Sequence, residues 1–78
     1  MVEKKELIAE IEAIDVVSCT TSGGNSFYIG TDSYWIGGSD DGFMCDFIGN
    51  VEYFSAESCV NALFRYLDEI NETIEDID

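Results

Sequence analysis

Between Glu3 and Ile14 the apolar residues Leu7, Ile8, Ile11 and Ile14 fall on one side of a helix, because steps of three and four residues return to the same face. Glu3, Glu6, Glu10 and Glu12 fall off that face, so the segment is expected to be a short amphipathic helix. The pattern then changes character. Val16, Val17, Cys19, Thr20 and Thr21 favour a strand, Ser22-Gly23-Gly24-Asn25 is a turn cluster, and Ser26-Phe27-Tyr28-Ile29 favours a second strand, which together predict a β-hairpin. Gly30 to Ser33 reads as a bulge or turn before a strand at Tyr34-Trp35-Ile36. A second turn region, Gly37 to Gly42, precedes a further strand at Phe43 to Ile48, and Gly49-Asn50 turns the chain into Val51-Glu52-Tyr53.

Ser55 is suited to cap a helix, with Glu57 in the first turn where the helix dipole favours an anion, and Phe54 is placed to staple onto Cys59. Val60, Leu63, Leu67, Ile70, Ile74 and Ile77 follow at alternating steps of three and four, which predicts a long helix with one face across the sheet. The expected fold is α+β: an N-terminal helix, a three- to five-stranded antiparallel sheet and a long C-terminal helix packed on the sheet. Nothing in composition divides the chain, so residues 1–78 are expected to form a single domain. On a continuous helix Asp68, Glu69, Glu72, Glu75 and Asp76 lie within about 120° of each other, opposite the apolar stripe, as an acidic ridge.

Charge changes the picture most. Seventeen Asp and Glu stand against three Lys and Arg, Lys4, Lys5 and Arg65, giving a net charge of −14 with no histidine. Direct nucleic-acid binding needs cations to displace condensed counterions, and adhesion to an anionic membrane needs the same, so both are excluded as expectations. Without histidine, His-based triads, His general acid–base chemistry and His-ligated zinc are excluded too. Yet 46% of residues are hydrophobic and 13% aromatic, more than a disordered acidic chain carries. The N-terminus turns acidic within a few residues and no apolar run reaches signal-peptide or membrane length, so a cytoplasmic protein is expected.

The candidate chemistry is sparse. Cys19, Cys45 and Cys59 are an odd set without CxxC spacing, best read as reduced, buried small side chains. Asp40 and Asp41 in a turn could offer oxygen ligands to Ca²⁺ or Mg²⁺, but the register of a calcium loop is missing, and turn chemistry or a partner contact explains them better. Asn71-Glu72-Thr73 matches a glycosylation acceptor inside an expected helix and is discounted. No phosphate-cradling or nucleophile-elbow motif occurs, so neither an enzyme nor a cofactor is expected.

What remains points to binding. An ordinary solvated helix face interleaves Lys with Glu, whereas no cation follows Arg65 and the acids crowd the negative end of the helix dipole. The ten aromatics exceed what a thin core takes up, which makes Tyr34 and Trp35, beside turn glycines, candidate anchors for a partner. In size, order of elements and charge the chain resembles the small acidic phage-encoded anti-CRISPR proteins, some of which fold as helix, three-stranded sheet and helix. The resemblance implies DNA mimicry: carboxylates set where phosphates would lie on a CRISPR effector. The physical step stands apart from the family, since a cationic nucleic-acid groove attracts a rigid body that presents acids at phosphate-like density. On this reading Asp68, Glu69, Glu72, Glu75 and Asp76 supply the mimicry and Asp40 and Asp41 a second contact. The alternative is a small acidic immunity or antitoxin-type protein, or a homo-oligomeric adaptor that includes a homodimer, bound through its aromatics with charge only steering encounter.

Overall fold

The computed structural model describes residues 2–30, 34–38 and 52–77. Helix α1 runs Lys4–Ala13, strands β1, β2 and β3 run Val16–Thr21, Ser26–Gly30 and Trp35–Gly38, helix α2 runs Ala56–Glu69, and strand β4 runs Ile74–Ile77. The four strands form one antiparallel sheet in the order β3-β2-β1-β4. The expected α+β fold is therefore present, with its hairpin, its two helices and, among the described residues, four antiparallel strands. The strand expected at Phe43 to Ile48, the turn residues Asp40 and Asp41, and Cys45 lie outside the described residues. Glu52 adds an isolated antiparallel bridge to Trp35.

Strand alternation divides the sheet into two faces. Val17, Cys19 and Thr21 of β1, Phe27 and Ile29 of β2 and Ile36 of β3 are buried, while Val16, Ser18 and Tyr28 between them are exposed. Helix α1 contributes Leu7 and Ile11 to the same core, and α2 contributes Ala56, Cys59, Val60, Leu63 and Leu67. Each large aliphatic side chain withdrawn from water in this way is worth about 1.5–3 kcal/mol, so α2, with five buried side chains to the two of α1, contributes the larger helical share of the core. Ile8 is half-buried and Ile14, at the end of α1, is exposed.

The C-terminal helix expected from the three-and-four spacing is formed but stops short of its expected length. Helix α2 ends at Glu69, and Ile74 and Ile77 belong to a strand. The stop is a Schellman closure: Asn71 takes a left-handed backbone at φ 58, its N–H donates to the carbonyl of Asp68 at 3.3 Å, and the Glu72 N–H donates to the carbonyl of Leu67 at 3.0 Å. Beyond it, Thr21 pairs with Ile74 and Thr20 with Asp76, so Glu75 is an extra residue in the ladder. This β-bulge explains the misleading spacing, because one inserted residue puts Ile74 and Ile77, three apart, on the same inner face.

Candidate functional site

Every described acid except Glu72 is exposed. The five candidates near the C-terminus, however, do not form a helical ridge. Asp68 and Glu69 sit in the last turn of α2, Glu72 lies in the connection to β4, Glu75 occupies the bulge, and Asp76 stands on the outer face opposite Thr20. The single helical row at phosphate-like intervals is thereby corrected: two of the acids lie on an edge strand, one in the connection and two on a helix terminus. Asp68 and Glu69 oppose the helix dipole there, with no basic residue in the last turn to offset them.

Glu72 is a structural residue. Its carboxylate accepts a short hydrogen bond from the Thr21 hydroxyl and two from the Asn25 side-chain amide, at 3.0 and 3.1 Å. Thr21 is almost fully buried, and its hydroxyl oxygen also accepts from the Asn25 backbone N–H at 3.1 Å, so both capacities of that hydroxyl are used. Glycine at 23 leaves room for this arrangement: a Cβ there would stand 2.5 Å from a Glu72 carboxylate oxygen and displace the carboxylate from its partners. The turn between β1 and β2 is further fixed to the connection by Ser22 N–H donating to the Thr73 carbonyl at 2.8 Å and Thr73 N–H donating to the Ser22 hydroxyl at 3.1 Å.

The start of α2 is built differently. Ser55 caps it as expected, through a reciprocal capping box with Ser58, and Glu57 sits in the first turn. The expected staple of Phe54 onto Cys59 is absent, since Phe54 is fully exposed while Cys59 is fully buried. Burial pushes the Cys59 thiol up to about 12, which keeps it protonated and poorly nucleophilic. The Tyr53 hydroxyl is likewise raised, first by burial, then by Cys59, against an opposing pull from Arg65. Cys19 and Cys59 are both buried, as expected of small apolar side chains.

The aromatic candidates part company. Trp35 lies half-buried on the outer face of the sheet, 5.7 Å from Tyr28 between ring centroids and tilted by 56°. Both rings lie over Gly37, where a Cβ would meet them at 2.5 and 2.7 Å. Val16, exposed on the same face, extends this apolar patch through the pairing of Gly30 with both Val16 and Trp35. Tyr34 instead takes a left-handed backbone at φ 51 and, with Ile11, Glu12, Ile14 and Asp15, lines an open depression of about 300 Å³ at the end of α1.

Sequence reasoning missed a cavity of about 310 Å³ between the N-terminus and the end of α2. Leu67 and Ile74 form its buried floor, Val2 and Phe64 its walls, and Glu3 and Asp68 its exposed rim. The Lys4 ammonium stands 5.8 Å from the centre of the Phe64 ring beside it. Residues sixty positions apart build this feature, so no local motif announces it. Among the described residues no group of three or more Cys, Asp or Glu side chains is placed to hold a metal ion, and no described helix is long and apolar enough to cross a membrane. Comparison with family models, with curated proteins and with solved structures finds no match to this chain.

Proposed function

We propose that this protein works by binding, as an acidic inhibitor that occupies the basic nucleic-acid-binding site of a DNA-processing enzyme, with a CRISPR effector the target the anti-CRISPR resemblance suggests. The observation that carries this reading is the unbalanced surface: eleven exposed carboxylates on the described residues, against Lys4, Lys5 and Arg65 in the whole chain. Such a body is drawn to a cationic groove before any specific contact forms. Asp68 and Glu69 at the end of α2 and Glu75 and Asp76 on β4 are exposed acids, while Glu72 serves the connection between the two elements. A cytoplasmic setting and the absence of catalysis belong to the same reading.

The test is competition. A recovered nucleic-acid enzyme should lose labelled duplex DNA as the protein is added, with an effect that weakens steeply between about 50 and 200 mM salt. Reversing Asp68, Glu69 and Asp76 to Lys should abolish the displacement while the circular-dichroism spectrum is retained; undiminished displacement by that variant refutes the reading. The patch of Tyr28 and Trp35 over Gly37 favours a second one, an immunity-type or self-associating adaptor bound through the outer sheet face. That interface would lose association rate in salt but keep most of its affinity, and Trp35→Ala would remove it.

A further inference from the structure

We infer that the cavity between Val2, Phe64, Leu67 and Ile74 receives an apolar side chain of the partner, carried in a segment with Lys or Arg on either side of it. The inference deepens the proposed inhibition and rests on it, because Asp68 belongs to both surfaces. Volume sets the class of occupant: an apolar cavity of about 150 Å³ is enough for benzene, and this one measures about 310 Å³. It therefore has room for one large aliphatic or aromatic side chain together with part of the backbone bearing it.

Charge sets the flanks. Glu3 and Asp68 are exposed at the rim and Glu72 lies beside them, whereas among the described residues Lys4 is the one cation lining the cavity and stands over the Phe64 ring. An anionic ligand would meet net repulsion at this mouth, and a neutral one would forgo the field of the whole chain. A basic segment gains both, since its apolar residue leaves water while its flanking cations approach the two rim carboxylates. The cavity thereby supplies register to an attraction that otherwise only concentrates a partner near these carboxylates.

The probe is a five-residue peptide, Lys-Lys-Phe-Lys-Lys with blocked ends, titrated into the ¹⁵N-labelled full chain and followed by amide chemical shifts. The expected result is saturable movement of Val2, Lys4, Leu67 and Thr73, about tenfold tighter than with Lys-Lys-Ser-Lys-Lys, because only the first peptide buries a ring. Asp68→Lys should weaken it, and Thr73→Phe, an exposed rim position, should fill the cavity and remove the response with thermal unfolding unchanged. Equal response to the two peptides, movement centred on Tyr28 and Trp35, or concentration-dependent shifts at Val2 and Leu67 without peptide, which would make a second copy the occupant, each overturns the inference. DNA displacement lost on acid reversal but indifferent to Thr73→Phe would sink the cavity and leave the proposed inhibition standing.

Discussion

At its first turn α2 has a reciprocal serine capping box and an acid where the dipole welcomes one; at its last turn it has Asp68 and Glu69 where the dipole repels them and a left-handed Asn71 where glycine is more usual. The two ends of one helix thus follow opposite rules. The first end satisfies its own backbone with neighbouring side chains. The second closes its backbone through the left-handed Asn71 and is tied in addition to the hairpin turn, by Glu72 reaching Thr21 and Asn25. At the second end, charge is set against the dipole and a separate clamp offsets what local stability loses.

Alkali should break the comparison at the first end, and with the largest effect. Below the thiol's ordinary value of 9.0 folded and unfolded chains both keep the Cys59 proton; from there toward about 12 only the folded chain does. Stability should therefore fall by about 1.4 kcal/mol per pH unit across that window. The raised Tyr53 hydroxyl adds a smaller loss of the same sign. Urea midpoints at pH 9, 10 and 11 measure the slope, which Cys59→Ala should flatten; an equal slope in the variant removes Cys59 as its cause.

The clamp at the second end comes next. Glu72→Ala should cost about 1–3 kcal/mol, because the buried Thr21 hydroxyl loses its acceptor, whereas Asp76→Asn at the exposed edge should leave the urea midpoint unchanged. Ser55→Ala should cost about 1 kcal/mol by removing the capping box, again read from urea unfolding. Smallest is Glu69→Lys, expected to stabilise by about 0.3–1 kcal/mol at low salt and by nothing at high salt. A destabilised Glu69→Lys would mean that the acid has a structural role like that of Glu72.

How much of this could be read in advance differs between the same two ends. Ser55 announced the start of α2 because capping is a local property of one side chain and the next few amides. The hairpin was equally legible, since Ser22-Gly23-Gly24-Asn25 separates two β-rich runs. The stop at Asn71 was hidden because the apolar spacing runs on through Leu67, Ile70, Ile74 and Ile77 without a break. That spacing has two physical origins, helical turns before Asn71 and a bulged strand after it, and periodicity alone cannot separate them. For the candidate site, exposure of the acids followed from composition, but the special standing of Glu72 did not. Its partners are 51 and 47 positions away, and the cavity likewise depends on chain segments that only the fold brings together.

The placement of β4 also has a consequence in time. The β1–β2 hairpin closes over a short turn and can form within microseconds, whereas β4 must return across most of the chain to reach β1. Until it arrives, the uncharged edge of Val16–Thr21 is open to any extended polypeptide nearby. Its arrival covers Cys19 to Thr21 of that edge with a strand that is short, bulged and doubly acidic, a poor template for another chain. The strand that carries Glu75 and Asp76 thus also shortens the stretch of β1 left open in a newly made copy.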